Sequence, residues 1–142
     1  MRPSPETLEA WRAMLTFVRA ATSELDEALR QERGMTLDDY DILFQLSQGP
    51  KGGIRMSALS GSLLVAPSSC TRVVGRLVER GWVERRFDPD DGRVVVVALS
   101  PVGRRQLVRA SVTHLRGIED VFGSRLDAAT LRQLTDSLHI AR

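Results

Sequence analysis

Residues 65–99, VAPSSCTRVVGRLVERGWVERRFDPDDGRVVVVAL, change from helical to extended periodicity within a few positions, which leaves few folds open. Pro67 suits the first position of a helix and Gly81 its C-terminal stop. Projected at about 100° per residue, Ala66, Cys70, Val73, Val74, Leu77 and Val78 share one face. Ser68, Ser69, Thr71, Arg72, Gly75, Arg76 and Glu79 share the other. Gly81-Trp82-Val83-Glu84-Arg85-Arg86 then suits a strand. Asp88-Pro89-Asp90-Asp91-Gly92-Arg93 is dense in turn formers, with Asp-Gly the strongest hairpin dipeptide. Val94 to Leu99 is β-branched and uninterrupted, a second strand.

A helix followed at once by a hairpin has the layout of a winged helix. The polar face of the helix also suits any solvated surface helix, so the helix alone does not choose. Its hydroxyls and guanidinium forks are the groups that reach base edges and phosphates in a major groove. Residues 68, 72 and 76 stand one turn apart and follow such a groove together. Arg93, at the hairpin tip, is placed for the narrow, electronegative minor groove.

From about Thr36 to Gly103 the chain resembles the MarR (multiple antibiotic resistance regulator) family of bacterial transcription regulators. The residues that carry the resemblance are Thr71-Arg72, Leu77, Gly81-Trp82-Val83-Glu84-Arg85, then Asp88, Asp91 and Arg93, then Leu99-Ser100 and Gly103. The D-x-x-D-x-R turn followed by a valine-rich strand and L-S-x-x-G is more specific than any single piece. The resemblance implies a homodimeric, ligand-responsive repressor on a near-palindromic DNA operator. It assigns the major groove and flanking phosphates to Ser68, Ser69, Thr71, Arg72 and Arg76, and the wing contact to Arg93, held by Asp91 through a charge-assisted pair. The alternative is a winged-helix protein without an effector, acting as a constitutive repressor or activator or as a protein-interaction module.

The charge distribution is consistent with this. Formal net charge is only +2, but residues 1–50 carry 5 basic and 9 acidic groups, whereas residues 51–105 carry 10 basic and 5 acidic. Positive charge therefore gathers on the helix and hairpin, as a nucleic-acid footprint requires. At 142 residues, 42% hydrophobic and 27% charged, the chain makes one domain with its own core. One cysteine excludes an internal disulfide framework. No apolar run approaches the ~20 residues that span a bilayer and no leader pattern opens the chain, so a soluble, cytoplasmic protein without membrane contact is expected.

In chain order, Ser4-Pro5-Glu6 starts a helix, and Leu8, Trp11, Leu15, Val18, Thr22, Leu25 and Leu29 recur at helical steps until Gly34. So long an apolar stripe suits packing within the chain or against a second subunit, and the resemblance implies the latter. Thr36-Leu37-Asp38-Asp39 reads as a capping box opening a helix whose inner face is Tyr40, Leu43, Phe44 and Leu46. Gly49 to Gly53 is a loop, Ile54 a short strand backing the wing, and Met56 to Leu64 a short helix burying Leu59 and Leu63. Ser100-Pro101 starts a helix striped by Leu107, Val108, Val112, Leu115 and Ile118. Gly117 and Gly123 loosen the chain before Asp127 caps a last helix through Leu131, Leu134, Leu138 and Ile140. The expected fold is mainly α with a small β-hairpin wing. A winged helix-turn-helix at 35–99 is flanked by helices at 4–33 and 100–142 that form the dimerisation region.

Many family members bind small aromatic acids where the winged helix meets the dimer helices. By the resemblance, Thr71 and Arg85 lie there, Arg85 to receive a carboxylate from an aromatic acid or another hydrophobic anion; Trp11, Met14 and Tyr40 supply apolar walls. Arg85 paired with a phosphate or an acid is the simpler alternative. Gly75, mid-helix, either admits close backbone approach or is merely tolerated. Cys70 falls on the apolar face, where a thiol is a small hydrophobe rather than a redox sensor. His114 and His139 have no neighbours in metal-ligand spacing, so no metal and no cofactor is expected. Without G-x-S-x-G, H-E-x-x-H or a glycine-rich phosphate loop, an enzyme is not expected either.

Overall fold

The computed structural model describes residues 1–62 and 67–139, with Pro67 and Ser68 described by their backbone alone. The order is α1 (Pro5–Arg33), α2 (Leu37–Gln48), β1 (Ile54–Arg55), α3 (Met56–Ser62), α4 (Pro67–Glu79), β2 (Val83–Phe87), β3 (Val95–Leu99), α5 (Pro101–Val121), a 3₁₀ turn (Gly123–Arg125) and α6 (Ala128–Leu138). The strands form one antiparallel sheet in the order β1-β3-β2, with Ile54 opposite Val97 and Arg85 opposite Val97 on its other side. The expectations for Leu63, the turn at 64–66 and Ile140 fall outside the described residues.

Local signals account for most boundaries. The Ser4 hydroxyl accepts from Thr7 N at 3.2 Å, and Gly34 ends α1 with φ 63°. Thr36 and Asp39 close the capping box in both directions, at 3.0 and 2.8 Å. Gly81, at φ 73°, ends α4. Gly81 N donates to Val78 O and Trp82 N to Leu77 O, both at 3.0 Å, the paired bonds of a Schellman cap. Asp127 caps α6 by accepting from Thr130 N at 2.7 Å.

The L-S-x-x-G motif fastens the wing to α5. Ser100 Oγ donates to Gly81 O at 2.6 Å and accepts from Gly103 N at 3.0 Å. The first turn of α5 lies so near Trp82 that a Cβ on Gly103 would collide with the Trp82 carbonyl oxygen.

The core joins Leu29, Met35, Ile42, Leu43, Leu59, Cys70, Val73, Val74, Leu77 and Val97. Two expectations need correction. On α2, Ile42 is buried and Phe44 is 41% exposed, because α2 is contacted by α4 and β3 as well as α5 and its inner face turns accordingly. Gly117 does not loosen α5: a Cβ there would stand 2.6 Å from Leu25 Cδ2, so the glycine lets α1 and α5 approach closely. The same two helices are joined by Thr113, which accepts from Arg33 Nε and donates to Glu32, both at 2.9 Å. Arg116, and after it Thr113, holds the Glu32 carboxyl below the ordinary carboxylate value.

The stripes on the flanking helices divide. Leu25 and Leu29 are buried, while Leu8, Trp11, Leu15 and Val18 of α1 and Val108, Val112 and Leu115 of α5 stay exposed. Leu107 and Ala110 turn inward in their place on α5.

Candidate nucleic-acid interface

α4 presents its polar face because Cys70, Val73, Val74 and Leu77 are fully buried on the other. Thr71 and Arg72 are exposed and Ser69 is half-buried. Arg72 pairs with no carboxylate of the described residues. The Ser68 side chain lies outside them. Among the described residues nothing comes within 4 Å of the position a Cβ would take on Gly75, so none of them demands glycine there.

Arg76 departs from its expected place on the groove side. Its Nη2 donates to Asp39 Oδ1 at 2.6 Å and to Thr36 Oγ1 at 3.3 Å, and its Nε donates to Asp39 Oδ1 at 3.2 Å. Asp39 is 1% exposed. A buried carboxylate needs a charged partner, and the long Arg76 side chain at the edge of the polar face supplies it. Arg76 therefore ties α4 to α2 rather than standing free for DNA.

The wing tip is ordered by its own acids. Asp88 N donates to Val94 O at 2.8 Å, Val94 N to Asp91 O at 3.0 Å, and Asp90 N to Asp88 Oδ1 at 2.8 Å. Asp91 Oδ1 accepts from Arg93 N at 3.1 Å and Arg93 Nε at 3.3 Å, while the Arg93 side chain remains 93% exposed. Asp91 thus positions Arg93, leaving its Nη groups outward. At the base of the wing, Arg55 stands 3.7 Å from Asp88, and Arg86 donates to the Gly52 carbonyl. Sequence reasoning missed both, because β1 meets β3 only across a long stretch of chain and nothing local to Arg55 announces the pairing.

Among the described residues, the five expected to hold a ligand are spread over α1, α2, α4 and β2 and line different cavities or stand exposed. Tyr40 is buried, its hydroxyl 3.2 Å from Ser111 Oγ and its ring 4.2 Å from that of His114. It lines a cavity of about 590 Å³ between α1, α2 and α5, with Leu25, Phe44, His114 and Ile118. Met14 lines a separate cavity of about 400 Å³ between α1 and α6. Trp11 is 54% exposed on α1, and Thr71 and Arg85 are exposed on α4 and β2. Spacing along the chain could not show that β2 packs chiefly on α4 and β3. A polar cleft of about 370 Å³, lined by Arg19, Arg30, Arg72 and Arg76 together with Asp26 and Asp38, lies between α1, α2 and α4 and had no sequence signal.

His114 Nδ1 is buried with no hydrogen-bond partner among the described residues, and burial pushes the imidazole below its ordinary value. Cys70 is fully buried, so an oxidant reaches it only if α4 lifts from the core. No helix among the described residues is long and apolar enough to cross a membrane.

Residues 33–94 match the model of the MarR family. The chain is 27% identical over 135 residues to the uncharacterized HTH-type transcriptional regulator YhbI of Bacillus subtilis, covering 89% of this chain and 86% of that protein. Its fold is similar to that of AbsC, a MarR family transcriptional regulator from Streptomyces coelicolor, with a TM-score of 0.87, 25% identity and coverage of 97% and 93% of the two chains. It is also similar to Sco3205, a MarR family transcriptional regulator from the same organism in complex with DNA, with a TM-score of 0.89, 25% identity and coverage of 97% and 86%. Residues 33–94 thus resemble the MarR family, and the fold of the described residues is similar to that of regulators of that family.

Proposed function

We propose that the protein is a transcription regulator that binds double-stranded DNA as a homodimer, most simply as a ligand-responsive repressor in the cytoplasm. The observation that carries this is the wing: Asp91 holds an otherwise free guanidinium, that of Arg93, at the tip of a hairpin beside an α4 face open at Thr71, Arg72 and Gly75. α4 enters the major groove and Arg93 the minor groove. The open approach at Gly75 suits a backbone brought close to a phosphate or base. Sco3205, crystallised with DNA, supports the same use of this fold.

A second copy covers Leu8, Trp11, Leu15 and Val18 of α1 with Val108, Val112 and Leu115 of α5, a spread of apolar surface that a monomer rarely leaves bare. Two α4 helices then read half-sites about 10 bp apart. The apolar cavity at Tyr40 and His114 offers room for a small aromatic or other hydrophobic anion. Such an effector acts by favouring a dimer whose helix spacing no longer matches the duplex.

Footprinting of the wild-type protein on the DNA upstream of its own gene tests the proposal. A protected near-palindrome whose affinity falls steeply with salt is expected. Absence of protection there, together with failure to enrich any duplex from a randomised library, overturns it.

A further inference from the structure

Phe87 is the most exposed aromatic side chain of the described residues at 69%, and nothing derived above uses it. In the hairpin Val83 faces Leu99, Arg85 faces Val97 and Phe87 faces Val95. Alternation along a strand places these six residues on one face of the sheet. Val83 and Val97 are buried in the core on that face. Phe87 therefore stands on the core face of the wing, beyond the point where the helices cover it. It is one pair short of the tip, where Asp88 N bonds Val94 O and Arg93 follows.

Its surroundings restrict what covers the ring. Arg85 precedes it on the same face, Arg86 is its neighbour in the chain, and Arg93 lies across the hairpin. Of the nearby acids, Asp88 is turned to Arg55 and Asp91 to Arg93; Glu84 and Asp90 are exposed. A lone aromatic among guanidinium groups can seed a protein interface, where both residue types are enriched, but the net positive charge of residues 51–105 favours an anionic partner. It fits a duplex, where phosphates take the arginines and the apolar walls of the groove take the ring.

We propose that Phe87 is a second, apolar contact of the wing with double-stranded DNA, its ring lying against sugars and base edges of the minor groove beside Arg93. This inference rests on the reading of the protein as a DNA binder. The ring is an uncharged contact, so it adds affinity without releasing counterions. That separates it from Arg93 and gives it a measurable signature.

The experiment uses full-length protein and a duplex that the wild type has itself selected from a randomised library, titrated by fluorescence anisotropy at several salt concentrations. Phe87→Ala should weaken binding by on the order of tenfold at every salt, with the slope of log affinity against log salt unchanged and the thermal midpoint preserved. Phe87→Leu should retain most of the affinity. Arg93→Ala, run alongside, should weaken binding and also flatten the slope. Wild-type affinity in Phe87→Ala overturns the inference while leaving the DNA-binding reading intact. A loss of affinity that comes with a lowered thermal midpoint also overturns it, since the ring would then be holding the hairpin together. If the wild type selects no duplex, the DNA-binding reading falls and takes this contact with it.

Discussion

The guanidinium of Arg76 closes on the buried carboxylate of Asp39, at 2.6 Å through Nη2 and 3.2 Å through Nε, and so locks α4 onto the first turn of α2. Asp39 also accepts from Thr36 N at 2.8 Å and therefore serves two elements at once. Asp39→Ala should lower the free energy of unfolding by about 1 to 2 kcal/mol, the cost of a lost cap and ion pair, since the partly exposed Arg76 can then turn to water. Arg76→Leu alone should cost more, about 2 to 4 kcal/mol, because it strands the buried Asp39 carboxylate. Urea unfolding followed by circular dichroism reads both.

Gly103 carries a different constraint, steric rather than electrostatic. With the Trp82 carbonyl oxygen where a Cβ would go, Gly103→Ala must push α5 off the wing. A loss of about 2 kcal/mol or more is expected, visible as a lower urea midpoint. Gly75→Ala is the contrast: with open space around it, it should leave stability unchanged or raise it by up to ~1 kcal/mol.

Burial lowers the His114 pKa from its reference value of 6.5, so the folded state binds its proton less readily than the unfolded chain does. Where the unfolded chain holds the extra proton, stability rises with pH. The His114 contribution is thus intact above pH 6.5 and declines as pH is lowered from there towards the folded value. Replacing His114 by Phe should remove this part of the acid dependence, as measured by the difference in urea midpoint between pH 7.5 and pH 5.5. An unaltered dependence would place the titrating group elsewhere.

Arg93 is 93% exposed and, among the described residues, its side chain bonds only to Asp91, so removing that side chain disturbs little of the fold. Arg93→Ala should keep its thermal midpoint while the salt slope of DNA binding falls by about one phosphate contact per wing. Asp91→Ala should weaken binding less, because it loosens the guanidinium without removing it.

Leu15 lies one turn from Trp11 on the exposed stripe of α1. If that stripe is covered by a second copy, Leu15→Glu should convert the protein to monomer in sedimentation velocity at micromolar concentration. Its helical circular dichroism should be preserved, because the residue is exposed and stands outside the core cluster of the described residues.

The elements and most of their ends are legible in the residues themselves. Ser4, the Thr36–Asp39 box, Gly81, Ser100 and Asp127 are local devices, each satisfying orphan backbone groups within a few residues, so they can be read without knowing what packs where. The six-residue spacing from Asp88 to Arg93 likewise contained the wing tip, because Asp91 and Arg93 meet across two residues. Tertiary packing settled matters that depend on partners far along the chain. It turned Arg76 from the groove face to Asp39 and replaced Phe44 by Ile42 in the core. It made Gly117 a contact with α1, and separated Trp11, Met14, Tyr40, Thr71 and Arg85 into different places. Helical projection gives a side chain its bearing but not the neighbour that waits there, and a buried carboxylate or a close helix crossing can claim any residue within reach.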